Sequence, residues 1–295
     1  MTVLVQKFVP CWLSFYNRFY GNIYTMSRVL CLQYNPKIGD KEFNLNRVEQ
    51  FILEYSNKSI DLVLLPEFFS TGIDHNSFLN FYEDEYGGYV VKKVKDIAKK
   101  YSVNIVAGSV IEKSDNKLYN TSFVINRDGE SICKYRKIHL FNYNGGTEGQ
   151  RITAGNEPVV VELDFAKIGL NICYDFRYPV MQKELSKMGA ELLVCPTAWC
   201  IPNCIYNNNQ KLKHEQDIWE SLNKIRAYDN LVYVVSCNQV GMVNNRLSNI
   251  GCSMVVSPDG KILANAENNE CALFAEIDLE TVRNYKKVYP ISEID

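Results

Sequence analysis

GLNICYDFRYP, residues 169 to 179, sets a short apolar run directly against a charged turn. Leu170 to Ile172 read as the end of a buried strand, and Cys173 stands where that strand runs out. Tyr174, Asp175, Phe176, Arg177, Tyr178 and Pro179 follow as a polar, aromatic turn. A cysteine in that place is either a small core hydrophobe or a nucleophile held at a strand tip. The rest of the chain repeats the pattern, with buried strands that end in polar turns and alternate with helical stretches.

Working outward, residues 29–33, 61–65, 104–108, 119–125, 131–135, 159–163, 168–173, 191–195, 232–236, 252–257 and 272–277 read as strands. Residues 44–56 carry Leu45, Val48, Phe51, Ile52 and Tyr55 at helical spacing. Helices are also expected over 89–101, 180–188 and 218–229, the last with Trp219, Leu222 and Ile225 on one face. The Asn-rich segment 207–210 reads as a surface loop. Alternation of this kind argues an α/β protein. Strands that are apolar throughout are covered on both faces. Asn126-Arg127-Asp128-Gly129 and Ser257-Pro258-Asp259-Gly260 are hairpin turn signals, so the sheets are mixed. Two mixed sheets packed together with helices outside fit these features, although periodicity leaves the strand order open.

Composition narrows the partners. The chain has 295 residues and a net charge of −2, and it carries no basic stripe or block, which speaks against nucleic acid. Lys92, Lys93, Lys95, Lys99 and Lys100 are spaced as the solvated face of a helix. Ten cysteines are spread along the chain, as expected of reduced thiols in a cytoplasmic protein. Cys195, Cys200 and Cys204 lack the tight pairs and fourth ligand of a zinc site, so no metal is expected. Residues 1–25 are aromatic-rich and broken by Pro10 and Gly21. Their apolar run is too short to span a bilayer, and no small-residue cleavage site follows it. They read as an N-terminal extension, either from a start set upstream of Met26 or packing on a partner or membrane surface, the first being favoured, and residues 26–295 as one domain with no membrane partner.

Three residues at strand ends carry candidate chemistry. Glu67 follows a buried strand and precedes Phe68 and Phe69. Desolvation there raises a carboxyl pKa, as suits a general base, although a loop cap would look the same. Lys137 lies in a mixed run with Lys134 and Arg136 and is either an oxyanion partner or a solvated charge. Cys173 needs a base and a cation to work as a nucleophile. Glu67 and Lys137 supply both types, but His75, His139 and His214 leave a cysteine–histidine pair open.

PEFFSTG (66–72), KYRKIHLF (134–141) and GLNICYDFRYP, taken together and in this order, resemble the three signature segments of the nitrilase superfamily of carbon–nitrogen hydrolases. The resemblance runs from about Arg28 to the C-terminus. Glu148, seven residues before Gly155, resembles the second glutamate segment of that family. LLVCPTAW (192–199), Trp219 with KIRAYDN (224–230), SCNQVG (236–241) and GCSMVVSPDGKIL (251–263) resemble its later segments. The family implies a four-layer α-β-β-α sandwich, usually a homodimer across a helical face, with no cofactor. By motif it implies a Glu67–Lys137–Cys173 triad with Glu148 beside it. The implied chemistry is amide hydrolysis through a thioester, with Lys137 and the backbone N–H of Tyr174 on the oxyanion. Nitrile or N-carbamoyl hydrolysis would use the same triad, and a non-enzymatic binding module on this fold is the other alternative.

KYRKIHLF and YDFRYP look closest to the omega-amidase branch, whose substrates are small monoamides of dicarboxylic acids. Tyr143, Arg151, Trp199, Lys211 and Lys213 are then the candidates to meet the distal carboxylate. Asp175 and Arg177 are read as holding the turn, and Arg226 as packing behind the nucleophile. The chain departs from the family at Val180, where a glutamate is frequent, and between Trp199 and Trp219, a stretch expected to line the substrate entrance.

Overall fold

The computed structural model describes residues 26–74, 78–142 and 147–289. The expectations for residues 1–25, His75 and Tyr143 lie outside these described residues. In chain order the first strands are β1 (Ser27–Gln33), β2 (Leu62–Leu64), β3 (Glu83–Asp84), β4 (Asn104–Ser114), β5 (Lys117–Ile125), β6 (Ser131–Arg136), β7 (Val160–Glu162) and β8 (Lys167–Leu170). They are followed by β9 (Leu192–Thr197), β10 (Cys200–Pro202), β11 (Tyr233–Asn238), β12 (Val240–Met242), β13 (Leu247–Ile250), β14 (Met254–Val256), β15 (Ile262–Asn265) and β16 (Cys271–Ile277).

One sheet has the order β16-β1-β2-β4-β5-β6, with β3 paired to β4. The other runs β15-β14-β11-β9-β8-β7, and β10, β13 and β12 form a small third sheet. Both large sheets are mixed. In the first, β1, β2 and β4 are parallel inside antiparallel neighbours. In the second, β8, β9 and β11 are parallel, and β7 and β14 flank them antiparallel.

The long helices are α1 (Lys41–Glu54), α2 (Gly88–Tyr101), α3 (Pro179–Lys187), α4 (Asn209–Asn230) and α5 (Leu279–Val288). Side-chain alternation explains the layering. Val29, Cys31, Leu62, Leu64, Val106 and Val124 face the core shared with Ile168, Leu170, Leu192, Val194 and Val235 of the second sheet. Leu30, Leu32, Val63, Leu65, Ile105 and Ile125 point the other way, onto Val48, Phe51 and Ile52 of α1 and Val90, Val94 and Ala98 of α2. Met181 and Leu185 of α3, with Trp219 and Ala227 of α4, extend the central cluster on the far side. The expected α/β sandwich of two mixed sheets with helices outside is the fold observed.

Local details depart from the sequence reading in several places. The strand expected over 168–173 ends at Leu170, and Cys173–Arg177 form a 3-10 turn. The segment read as a loop over 207–210 is the start of α4, which is capped by Asn208 accepting from the Lys211 N–H at 3.1 Å. Its asparagines are cap and first-turn residues rather than loop residues. Within 199–219 the chain also adds β10 and a one-turn helix, Asn203–Tyr206. The two hairpin turns fall where their Gly residues predict: Gly129 and Gly260 both adopt φ +78°.

Candidate active site

Each candidate side chain is fixed by its own local device. Just after β2 and Pro66, Phe68 takes the left-handed conformation (φ 52°) and donates its N–H to Ser109 Oγ at 3.1 Å. Close approach at this point demands Gly108, because a Cβ there would lie 2.0 Å from the Pro66 carbonyl oxygen. From the other side, Gln239 donates to the Glu67 carbonyl at 2.6 Å, and Asn249 donates to Gln239 at 3.0 Å. Lys137 follows β6, with its N–H on Asn120 O and its carbonyl receiving the Gly155 N–H, both at 2.8 Å. A Cβ on Gly155 would sit 2.2 Å from Arg136 O, so only glycine permits that contact. Glu148 opens a short 3-10 turn and accepts the Phe141 N–H at 2.8 Å.

These devices bring the charges together. Glu67, Lys137 and Glu148 are each only 2 % exposed. Lys137 Nζ donates to Glu67 Oε1 at 2.9 Å and to Glu148 Oε2 at 2.9 Å. The Asn120 amide donates to both carboxylates, at 2.9 Å each. Cys173 sits on its turn at φ 48°, a left-handed conformation that non-glycine residues rarely adopt and that recurs at functional sites.

The four groups shape one another's protonation. Burial pushes Glu67 above the usual carboxyl range; Lys137 opposes this and Glu148 adds to it. Burial also pushes Glu148 upward, but Lys137, Asn120 and the Phe141 N–H outweigh it and hold that carboxyl low. Burial works against the charge on Lys137, yet the two glutamates hold its pKa well above the usual value. The Cys173 thiol is pushed up strongly by burial and by Glu67, while Lys137 and the Ala198 N–H favour its thiolate. The surroundings therefore favour the neutral form of Cys173 and of Glu67 and the charged form of Lys137 and of Glu148.

The remaining expectations divide. His139 Nδ1 lies 2.9 Å from Asp175 Oδ1, and its ring stacks on Tyr178 at 3.5 Å between centroids. The ionisable neighbours acting on the Cys173 thiol include Glu67 and Lys137, and His139 is engaged elsewhere. His214 lies exposed on α4. Asp175 holds the turn, as expected, and Arg226 packs behind it by donating to the carbonyls of Phe176 and Arg177. Tyr174 and Trp199 are half-buried beside the turn. The Arg177 guanidinium lies over both rings, 5.6 Å from the Tyr174 centroid and 5.1 Å from that of Trp199. Arg151, Lys211 and Lys213 are exposed, and Lys213 is paired with Asp217 at 2.6 Å.

Asn120 and Gln239 escaped the sequence reading; Asn120 opens the polar triplet Asn120-Thr121-Ser122 within β5, which carries no distinctive signal. Among the described residues, no group of three or more His, Cys, Asp or Glu side chains is placed to hold a metal ion. No helix among them is long and apolar enough to cross a membrane.

Comparison with known proteins bears on the family and the fold. Residues 28–287 match the family described as carbon–nitrogen hydrolase. The 2-oxoglutaramate amidase of Bacillus subtilis is 33 % identical over 263 residues, covering 89 % of this chain and 95 % of that protein. An omega-amidase of Xenopus tropicalis is 32 % identical over 256 residues, covering 85 % and 88 %. Among solved structures, Nit3 of Saccharomyces cerevisiae, a member of the nitrilase superfamily, superposes with a TM-score of 0.77. It is 28 % identical and covers 90 % of this chain and 94 % of that one. The chain belongs to the carbon–nitrogen hydrolase family and is a hydrolase of carbon–nitrogen bonds.

Proposed function

We propose that this enzyme hydrolyses the amide of a small dicarboxylic acid monoamide, with Cys173 as nucleophile, Glu67 as base and acid, and Lys137 on the oxyanion. The observation that carries the reading is the single buried ammonium of Lys137 held between two carboxylates of opposite tendency. Glu67 takes the thiol proton as Sγ forms a bond to the amide carbon. Lys137 and the Tyr174 N–H stabilise the tetrahedral oxyanion. Glu67 returns the proton to the leaving nitrogen, the carbon–nitrogen bond breaks, and ammonia departs from a thioester. A water then gives its proton to Glu67 and adds to the thioester; collapse expels the Cys173 sulfur, which regains the proton. Glu148 stays ionised throughout and keeps Lys137 charged.

The distal carboxylate needs a cation, since a buried unpaired charge is costly. Arg177 suits this role better than Arg151, Lys211 or Lys213. It stands four residues beyond Cys173, against Tyr174 and Trp199, and no carboxylate pairs with it among the described residues. The names of the similar amidases from Bacillus subtilis and Xenopus tropicalis support the same substrate class.

The proposal extends to a cytoplasmic homodimer. Nine cysteines of the described residues are all free thiols, which supports a reducing compartment. Val180 on α3 and Ile225 and Tyr228 on α4 are 79 %, 50 % and 62 % exposed on two helices that pack together, an apolar face suited to a second copy. Residues 26–295 are proposed as the catalytic unit, since β1 begins at Ser27 and the family match at residue 28. A chain starting at Met26 should then turn over normally. Ammonia release from a panel of monoamides, matched neutral amides, N-carbamoyl compounds and nitriles tests the substrate class. Preference for any group but the first contradicts it.

A further inference from the structure

Two segments far apart in sequence meet on one carboxylate. Asp175 Oδ2 accepts the Tyr135 hydroxyl at 2.7 Å and the Ile172 N–H at 3.0 Å. Asp175 Oδ1 accepts the His139 N–H at 2.8 Å, and His139 Nδ1 lies 2.9 Å from it. Tyr135 and His139 flank Lys137 by two residues on either side, and Ile172 immediately precedes Cys173. Three donors and the His139 ring nitrogen thus surround the roughly four lone-pair sites of a carboxylate. Asp175 is wholly buried, and among the described residues no lysine or arginine pairs with it.

We infer that Asp175 is a positioning residue that holds the Lys137 segment and the Cys173 turn in one frame, so that nucleophile and oxyanion cation are set jointly. The inference rests on the catalytic assignment proposed above. A carboxyl group buried without a lysine or arginine partner is a costly way to close a turn. The turn has a cheaper support in Gln182, whose amide donates to Asn171 Oδ1 at 2.7 Å and to the Asp175 carbonyl at 3.1 Å. Gln182 makes no hydrogen bond to residues 135–139 in the network described, whereas Asp175 makes three contacts with them. Asparagine cannot replace Asp175 here. It offers one acceptor oxygen, and its NH2 would confront groups that already donate.

The two supports can be separated by experiment. Asp175→Asn, Tyr135→Phe, their combination and Gln182→Met are compared for kcat, KM, thermal midpoint and the rate at which iodoacetamide alkylates Cys173. Misplacing reacting groups by about 1 Å costs on the order of 10²-fold. Asp175→Asn is therefore expected to lower kcat by about that factor, to leave KM within a few-fold, and to slow alkylation. Tyr135→Phe should lower kcat by about 10-fold, and the double variant should lose little more than Asp175→Asn alone, because both act through one contact. Gln182→Met should lower the thermal midpoint while keeping kcat.

The inference is overturned if Asp175→Asn keeps its kcat, if Gln182→Met loses as much kcat as Asp175→Asn, or if the two losses multiply in the double variant. Should Asp175→Asn not fold, Tyr135→Phe carries the test alone, and an unchanged kcat there is contrary. Alkylation needs no substrate. An enzyme inactive on every monoamide would sink the proposed function while leaving this inference open to the same comparison.

Discussion

Glu67 and Glu148 accept hydrogen bonds from the same Lys137 ammonium and the same Asn120 amide, yet they are driven in opposite directions. Glu148 has the additional Phe141 N–H and is held low, whereas Glu67 is dominated by burial and raised. Environment alone gives two chemically similar carboxylates opposite tendencies, which the proposed roles of counter-ion and proton carrier require.

Glu67→Gln is expected to lower kcat by about 10²–10⁴-fold, the usual worth of general acid–base catalysis. The amide oxygen keeps an acceptor for Lys137, so the variant should remain folded. In the wild type the first step needs Glu67 ionised, and its raised pKa should move the acid limb of kcat/KM above the ordinary carboxyl value of 4.5. A limb at or below that value would remove Glu67 as the base.

Glu148→Gln should lower both activity and stability, since removing one partner of a buried ion pair costs about 3–5 kcal/mol. The sign of its pH dependence follows from a folded pKa below the unfolded one. The folded protein binds that proton more weakly. The contribution of Glu148 is therefore present above the unfolded value and is lost as pH falls through the folded value. Urea melts of wild type and variant should converge on acidification below about 4.5. A gap independent of pH in that range would contradict the assignment of Glu148 as the ionised partner.

Arg177→Met keeps the apolar stem over Tyr174 and Trp199 and removes the charge. A charge-assisted contact is worth about 1.5–3 kcal/mol, or roughly ten- to a hundredfold. Loss of that size in kcat/KM is expected for a monoamide of a dicarboxylic acid and not for its neutral, chain-matched amide. Equal loss on both would assign Arg177 to the turn alone.

Val180→Glu places a charge at the most exposed apolar position of the α3–α4 face. Sedimentation of this variant should show a shift toward monomer relative to wild type. An unchanged dimer would move the interface to another surface.

Much of this was legible in the sequence, for identifiable reasons. Strand runs such as Leu62–Leu64 stand out because both faces are buried, and Gly129 and Gly260 mark turns that only their φ angles allow. Glu67, Lys137 and Cys173 could be found because each follows such a run or lies within a motif. The supporting polar groups could not. Asn120 meets Glu67 across 53 residues, and Gln239 meets it across 172. No local pattern encodes such contacts: the first exists only once β2, β4 and β5 assemble in one sheet, and the second only once the two sheets are stacked. The contact of Arg177 with Trp199 was equally illegible, since that ring arrives from the end of another strand. The start of α4 was missed because its first turns are Asn, Gln and Lys, with little apolar periodicity, and depend on the Asn208 cap.

The covalent step is the most direct test. Wild-type enzyme mixed with a dicarboxylic monoamide and quenched in acid within its first turnovers should carry the mass of the acyl group. Peptide mapping should place that mass on Cys173, and Cys173→Ala should show neither adduct nor turnover. Full turnover by Cys173→Ala, or an acyl group mapped to another of the cysteines, would contradict the assignment of Cys173 as nucleophile.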